Sequence, residues 1–304
     1  MKNSVMKADF FLLIVAFIWG STFVLVQNAI QDLPPFSFNT IRFFLASLTM
    51  LFVMKFVRRP ISITWSKKTV MYGVLLGGML HLGYTTQTIA LLYSTSSKVG
   101  FITGLNVVFV PIISFLFMKQ RPERYTVLGI MIAVIGLYFL TLADSFTVGQ
   151  GDFLAFICAI CFAAHIVFTG KYAPFHSIFV LTIVQLLTVS ILSFVSALWT
   201  ESIDYIILTK SSVWIALVIT AIFATALAFF LQTHFQKQTK PTHVALIFAT
   251  EPVFAAIFGM LVNHEVLTGK AVTGCVLIFI GIILAELPIS AIKQFFQQKR
   301  RKTT

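Results

Sequence analysis

Two stretches of the chain have related sequences: VGFITGLNVVFVPIISFLFMKQRPERYTVLGIMIAVIGLYFLTL at residues 99–142 and VALIFATEPVFAAIFGMLVNHEVLTGKAVTGCVLIFIGIILAEL at residues 244–287. The two copies align without a gap, with Val99 lying on Val244. Apolar matches arise easily by chance in so apolar a chain, and shared glycines at a fixed spacing are more informative. The copies share two such glycines, Gly129 with Gly274 and Gly136 with Gly281. An internal duplication is therefore predicted.

Composition places this duplication in a membrane. Of the 304 residues, 58% are hydrophobic and only 11% are charged. A soluble protein of this size must cover its outside with polar residues, whereas the solvent inside a bilayer is itself apolar. Apolar runs of roughly 20 residues, long enough to cross about 30 Å of hydrocarbon, recur along the whole chain. The sequence therefore predicts an all-α integral membrane protein.

Ten apolar runs stand between turn and charge signals, and each is predicted to be a transmembrane helix. They cover residues 8–28, 36–57, 69–92, 97–118, 125–142, 151–170, 177–198, 212–233, 241–262 and 271–287. Asp9-Phe10 falls on Asp152-Phe153, which aligns the starts of the two copies. The first repeat then spans residues 8–142 and the second spans residues 150–287. Five helices are an odd number, so the two copies must insert with opposite orientation, as inverted repeats do in many secondary transporters.

The positions of the basic residues predict the orientation of the chain. With the N-terminus in the cytoplasm, 18 of the 22 lysines and arginines fall on the cytoplasmic side, three fall outside and Arg42 lies within a helix. Both termini are therefore predicted to be cytoplasmic, with residues 288–304 forming a basic tail at the inner leaflet. The net charge of +12 does not indicate nucleic acid as a partner, because the charges are spread between the apolar runs.

No pattern in the sequence indicates catalysis. The chain has no His-Glu-x-x-His segment, no pair of carboxylates and no glycine-rich phosphate loop. We therefore expect no enzyme activity, no catalytic residue, no cofactor, no metal site and no ATP-driven pump. Cys158 and Cys161 have the spacing of a redox pair, but no second pair or histidine-rich loop accompanies them, and simple packing is the favoured interpretation.

Four segments resemble the signatures of a known family. They are AFIWGSTFV at residues 16–24, PPFSFNTIRFFLA at 34–46, ALLYSTSSKVGFITGLNVVFVPI at 90–112 and PTHVALIFATEPVFAAIFG at 241–259. In this order, on a duplicated chain, they are similar to the EamA family of the drug/metabolite transporter superfamily. The resemblance implies export or exchange of small metabolites, often amino acids or related compounds. The sixth helix departs from it, with Phe162-Ala163-Ala164 where a second Trp-Gly copy is expected.

Two polar residues occupy equivalent places deep in the membrane. Glu251 lies ten residues into the ninth predicted helix, near the midplane, and Asn106 of the fourth helix falls on it when the two copies are aligned. Nearby Pro111 and Pro252 each leave one backbone carbonyl without its helical donor. Together, a carboxylate, an amide and freed carbonyls at one depth are suited to bind a cation, a proton or an ammonium group. The alternative is that Glu251 is protonated and hydrogen-bonded to a neighbouring helix as part of the architecture.

Other intramembrane residues are candidates for a substrate or proton pathway or for packing. The pathway candidates besides Glu251 and Asn106 are Trp19, which rests on the resemblance, and Tyr84, Gln87, His81 and His165. Arg42, on the outer side of the second helix, and its counterpart Gln185 are predicted to be structural. Small residues four apart predict close helix packing in the fourth and ninth helices, at Gly100 and Gly104 and at Ala245 and Ala249.

The sequence thus predicts a multi-pass transporter of the inner cell membrane that exports small metabolites by alternating access. Its expected partners are the lipid bilayer and a small-molecule substrate, with a proton or another coupling ion left open. An uncoupled facilitator and a membrane scaffold that transports nothing are the alternative functions. Substrate identity, direction of transport and oligomeric state do not follow from the sequence.

Overall fold

The computed structural model describes residues 2–56, 64–141, 149–202, 210–263 and 268–286, and these form helices without strands. The predicted basic tail, residues 288–304, lies outside the described residues. The α-helices are α1 Lys2–Asp32, α2 Pro35–Phe56, α3 Lys67–Tyr93, α4 Ser96–Gly104, α5 Asn106–Met118, α6 Arg124–Thr141, α7 Gln150–Tyr172, α8 Ile178–Thr200, α9 Ser211–Ile219, α10 Ala228–Gln236, α11 Pro241–Phe248, α12 Glu251–Asn263 and α13 Gly269–Glu286. A π-helical segment, Thr220–Leu227, joins α9 to α10.

Seven stretches of the described helices are long and apolar enough to cross a membrane. They are Val5–Asp32, Pro35–Phe56, Lys98–Met118, Gln150–Phe175, Ile178–Thr200, Ser211–Gln236 and Pro241–Phe258. Two shorter apolar helices, Arg124–Leu140 and Gly269–Ala285, accompany them. The predicted all-α membrane class is confirmed. Helix α3 has 27 residues but falls short of the seven in apolar character, since it contains His81 and Gln87 together with several glycines, threonines and tyrosines.

The helix starts recur at equivalent positions of the two predicted repeats. Helices α5 and α12 begin at the aligned residues Asn106 and Glu251. Helices α6 and α13 begin at Arg124 and Gly269, which are aligned in the same register. This agreement supports the predicted duplication, because helix starts depend on turn and capping residues as well as on the apolar runs that the repeats share.

The most extensive contact between two described helices joins α6 to α13, and it is made by glycines. A Cβ placed on Gly136 would lie 2.7 Å from the carbonyl oxygen of Gly274, and one on Gly281 would lie 2.5 Å from that of Gly129. The two helices run antiparallel, since the earlier glycine of α6 meets the later glycine of α13. Only glycine lets the backbones approach so closely. The two shared glycine pairs of the duplication therefore pack against each other.

The sequence predicts close helix packing at Gly100 and Gly104, but the tight helix contact lies elsewhere, between α6 and α13. A Cβ on Gly100 would have no heavy atom of a neighbouring segment within 4 Å. At Gly104 it would meet Leu137 at 3.5 Å and Pro252 at 3.6 Å, which is ordinary van der Waals contact. Helix α4 ends after nine residues, so it offers only a short face for packing. The corresponding alanines of α11, Ala245 and Ala249, are fully buried in the core.

Large apolar side chains cover the outside of the helices. Phe52, Leu198 and Trp199 are all more than 60% exposed, on α2 and α8. Such exposure suits contact with lipid and would be unusual on the surface of a soluble monomer. Inside, residues of α1, α2, α3, α7, α10 and α12 meet around one central cavity. The three cysteines are free thiols that lie in the packed interior or partly in it.

Candidate functional site

A cavity lies in the middle of the helices, at the place where the two halves meet. Polar side chains from both halves line it: Thr22, Arg42, Tyr84, Gln87, Thr88, Asn106, His165, Gln232 and Glu251. The volume that the centres of water molecules can occupy in this cavity is about 60 Å³. Since about 10–15 Å³ measured in this way holds one water, there is room for a few waters only. A larger solute needs helix movement to enter.

Glu251 and Asn106 enter the cavity from two equivalent helix breaks. The chain stops being α-helical at Leu105 and again at Ala249 and Thr250, and a new helix starts directly after each break. Both breaks are tightened by bonds of the 3₁₀ type, from Leu105 N to the carbonyl of Ile102 (3.2 Å) and from Thr250 N to that of Ile247 (3.0 Å). A 3₁₀ turn within a long helix is typical of a hinge.

Proline explains one of the two breaks. Pro252 is the second residue of α12, a position where its missing N–H is harmless and its fixed φ suits a helix start. In the first half Val107 occupies the equivalent place, and Pro111 lies inside α5 instead. Pro252 lies beside Gly104, where an added Cβ would be 3.6 Å from the proline ring, so the two breaks pack near each other.

Three oxygen acceptors in the cavity have no protein partner within the described part of the chain. Asn106 Oδ1 and Gln232 Oε1 are buried and accept no hydrogen bond. The Glu251 carboxyl likewise forms neither a hydrogen bond nor an ion pair with a described residue. An unpaired buried polar group is costly, at roughly 1–3 kcal/mol. These acceptors therefore suit water, a proton or a bound donor group. The alternative in which Glu251 is bonded to a neighbouring helix finds no partner here.

Arg42 is the cation of this cavity. Its Nε donates to Thr225 Oγ1 at 2.7 Å, and its guanidinium lies over the ring of Tyr84, 5.1 Å from the centroid, and near Phe43 at 5.4 Å. The residue is only 4% exposed, so it does not reach out to the membrane surface as its predicted structural role would allow. Hydroxyl and ring contacts stabilise the charge where no carboxylate contacts it among the described residues.

The π-helical segment Thr220–Leu227 supplies the hydroxyl contact of Arg42, through Thr225. Its Thr225 donates to the carbonyl of Thr220, five residues earlier, at 2.8 Å. The carbonyl of Ala224 accepts a hydrogen bond from the Trp19 indole at 2.8 Å. π-Helical bulges occur mostly at functional sites, because the wider turn frees backbone groups for other partners. Here the bulge ties Arg42 and Trp19, both of the first half, to the second half.

Aromatic rings form the apolar part of the wall. Trp19 packs against Phe248 (5.0 Å between centroids) and Phe229 (5.5 Å). Tyr84 packs edge-on against Phe162 at 5.2 Å. Phe162 stands where the family resemblance predicts a second Trp-Gly copy, and it fills the space beside Gly83. The cavity thus has one carboxyl, one guanidinium, two free amide oxygens and an aromatic wall.

A chain of buried polar side chains leads away from the cavity. His165 Nε2 lies 3.0 Å from Gln185 Oε1, and Gln185 Nε2 donates to Thr233 Oγ1 at 3.4 Å. Gln232 Nε2 donates to Gln236 Oε1 at 3.2 Å, and Gln236 in turn donates to the carbonyl of Ile166. Gln185 therefore supports the cavity from behind rather than lining it.

The structure brings together most of the residues that the sequence predicts. Trp19, Tyr84, Gln87, Asn106, His165 and Glu251 line one cavity. His81 does not line it, and its Nδ1 lies 3.2 Å from Ser193 Oγ. Sequence reasoning missed Thr225 and Gln232. Gln232 and Gln236 are four residues apart and share one face of α10, a signal that was available; a single threonine such as Thr225 offers none.

Two contacts between a carboxylate and a basic side chain lie beyond the cavity at equivalent positions: an ion pair with Lys98, and a contact with His243 that is an ion pair when the imidazole is protonated. Lys98 Nζ lies 2.6 Å from Asp152 Oδ2, and His243 Nε2 lies 3.1 Å from Asp9 Oδ1. When the two copies are aligned, Asp9 falls on Asp152 and Lys98 falls on His243, so one pair is the repeat of the other. The first joins α4 to α7 and the second joins α11 to α1. Since α1, α2 and α3 alternate in direction, the pairs lie at opposite ends of the molecule.

Comparison with known proteins agrees with this arrangement. A protein of Archaeoglobus fulgidus named an uncharacterized transporter is 37% identical over 282 residues, which cover 93% of this chain and 86% of that protein. The uncharacterized transporter YoaV of Bacillus subtilis is 22% identical over 281 residues, covering 91% and 95%. A solved crystal structure superposes with a TM-score of 0.77 at 18% identity, covering 92% of this chain and 96% of the other, which shows a shared fold.

The sequence profile of the EamA-like transporter family matches the chain twice, at residues 6–142 and 149–287. Together with the names of the relatives, this match indicates a transporter rather than an enzyme. The chain is therefore a multi-pass membrane protein that belongs to the EamA-like transporter family.

Proposed function

We propose that this chain is a secondary transporter of the inner cell membrane that exports amino acids or related small metabolites by alternating access. In this proposal ten helices cross the membrane as two inverted five-helix repeats, with both termini in the cytoplasm. Helix α3 and the shorter helices α6 and α13 complete the ten beside the seven longer apolar stretches. The 18-to-3 bias of basic residues supports the orientation.

The observation that carries the substrate proposal is the chemistry of the central cavity. Arg42 is suited to bind a carboxylate, and Glu251 with the free oxygens of Asn106 and Gln232 is suited to bind an ammonium group. The aromatic wall around Trp19 offers apolar contact for a side chain. A zwitterion with an apolar part matches these three features. A purely apolar solute leaves the charged groups without partners, which is unfavourable.

The equivalent ion pairs and helix breaks support alternating access. Each end of the molecule is held by one pair, Lys98–Asp152 or His243–Asp9. The cavity between them is too small for a metabolite, so transport requires one end to open. Inverted repeats make the inward-open and outward-open states alike, because the two repeats can exchange their conformations. The breaks before Asn106 and Glu251 are the natural hinges.

Both alternative functions are testable against the same cavity. An uncoupled facilitator would use the cavity equally but would not respond to an ion gradient. A scaffold that transports nothing has no use for three unpaired acceptors and a buried guanidinium, which lower stability without a ligand.

Transport in proteoliposomes tests the proposal. Purified protein would be reconstituted and exchange of radiolabelled amino acids measured, with Glu251→Gln as the site variant. Glu123→Gln is the matched control, since that carboxylate is exposed and pairs with Lys240 outside the cavity. We expect exchange in the wild type and the control, and a loss of about tenfold or more for Glu251→Gln, the scale of one charge-assisted hydrogen bond. Equal rates in all three proteins would refute a role for Glu251.

A further inference from the structure

A second groove lies at one end of the molecule, between the start of α3, the connection from α7 to α8 and the end of α10. Two lysines and two histidines line it: Lys68, Lys237, His176 and His234. Among the described residues that line the groove there is no aspartate or glutamate. In the orientation proposed above, this end faces the cytoplasm. The groove is separate from the central cavity and shares no lining residue with it.

Two helices begin at this groove and direct their N-termini towards it. Helix α3 starts at Lys67, and α8 starts at Ile178. The first amides of a helix have no partner within the helix and carry partial positive charge, which favours bound anions. At α3 the Ser66 hydroxyl already accepts from Thr69 N at 3.1 Å. At α8 the corresponding residue, Ser177, makes no side-chain capping bond.

The Ser177 hydroxyl is an unpaired buried group in the wall of this groove. The residue is 9% exposed, it lines the groove, and its Oγ has no hydrogen-bond partner among the described residues. His234, which also lines the groove, has an unpaired buried Nδ1. Serine at a helix start normally caps the helix, and a buried hydroxyl normally finds a partner. The groove wall therefore contains two unpaired polar groups beside the first amides of α8.

The neighbouring basic groups repel one another when nothing binds between them. His176 contacts Thr69 Oγ1 through Nδ1 at 2.9 Å, which leaves its Nε2 free for another partner. Burial, and then the nearby Lys68 ammonium, lower the pKa of His176. An anion in the groove would remove this repulsion.

Exposed aromatic residues flank the groove. Phe175, which lines the groove, is 82% exposed, and Trp65, next to the lining residues Thr64 and Ser66, is 54% exposed. Tryptophan and other aromatic residues concentrate where a membrane meets water, at the level of the lipid head groups. The groove therefore lies where the phosphate of a lipid is within reach.

We propose that this groove binds a phosphate-bearing anion, held by Lys68, Lys237 and His176, by the Ser177 hydroxyl and by the first amides of α8. A phosphate group offers several acceptor oxygens in different directions, and the donors here come from three separate elements. Basic pockets between transmembrane helices at the cytoplasmic face are suited to lipid head groups. The same chemistry would accept a soluble phosphate, so the experiment has to distinguish the two sources.

Native mass spectrometry of the purified protein would measure binding of phosphatidylglycerol. The groove variant is Lys68→Gln with Lys237→Gln. The matched control is Lys55→Gln with Lys119→Gln, which removes the same charge from exposed lysines outside the groove. Each groove lysine is expected to contribute roughly a fivefold factor, so the double variant should bind about 25-fold more weakly. Ser177→Ala, which keeps every charge, should bind a few-fold more weakly and decides the question if the double variant does not fold.

A second measurement titrates inorganic phosphate and follows thermal stability in neutral detergent. Weaker lipid binding in the groove variants, with no effect of phosphate, identifies a lipid head group. Stabilisation of the wild type by millimolar phosphate, lost in the groove variants, identifies a soluble phosphate. If the groove variants match the control in both measurements, the proposal is wrong. Transport is not used as a readout, so the result is independent of the proposed function.

Discussion

The contact between α6 and α13 makes the sharpest prediction about stability. A Cβ added at Gly274 would lie 2.5 Å from the carbonyl oxygen of Gly136 and 2.5 Å from the backbone nitrogen of Leu140. Both atoms belong to the backbone and cannot turn aside as a flexible side chain would. Ordinary van der Waals contact begins near 3.4 Å, so the helices must separate by close to 1 Å. Gly274→Ala should therefore loosen the most extensive helix contact in the described structure.

The magnitude follows from a comparison with a matched control. Overpacking a well-packed contact costs about 1–3 kcal/mol. Alanine also stabilises a helix relative to glycine, by about 1 kcal/mol in water. Gly100→Ala should have the same gain in helix stability without the overpacking, because no heavy atom of a neighbouring segment lies within 4 Å of the added Cβ. The two variants then differ only by the overpacking, so the free energy of unfolding should be about 1–3 kcal/mol lower for Gly274→Ala than for Gly100→Ala.

The assay is the fraction of protein that stays monodisperse after heating in detergent. We expect Gly100→Ala to melt at or slightly above the temperature of the wild type and Gly274→Ala to melt clearly below it. Gly78→Ala is a second control, since its Cβ also has open space around it. Equal melting temperatures for Gly274→Ala and the two controls would show that α6 and α13 are not packed on their glycines.

Three further predictions concern charge. Arg42→Lys keeps the charge but loses the bond from Nε and the contact of the guanidinium with the Tyr84 ring, so we expect substrate KM to rise severalfold with expression unchanged. Asp152→Asn and Asp9→Asn each weaken the pair at one end of the molecule, so cysteine accessibility of the cavity should shift in opposite directions in the two variants; a shift in the same direction would contradict alternating access. Lys68→Gln removes one of the causes that lower the pKa of His176, so an NMR titration should show that pKa rising part of the way to its usual value.

Part of the candidate site was predictable because the duplication marks it. Asn106 and Glu251 are equivalent in the two copies, and both prove to be the first residues of helices that restart inside the membrane. A carboxylate in an apolar run stands out from composition alone, since charge is unfavourable there. Arg42 stands out equally, but the sequence does not say whether it turns towards lipid, water or the cavity.

What the sequence by itself determined is the all-α membrane class and the approximate positions of the long apolar helices, because these depend on local composition and spacing. Only the tertiary structure decided that Arg42 faces the cavity, that Thr225 of the π-helical segment holds it, and that Gly136 packs on Gly274. In a soluble helix the apolar stripe points to the core. In a bilayer both the lipid face and the packed face are apolar, so the pattern does not show which way a helix is turned. Rotation of each helix is settled by contacts between residues far apart in the chain.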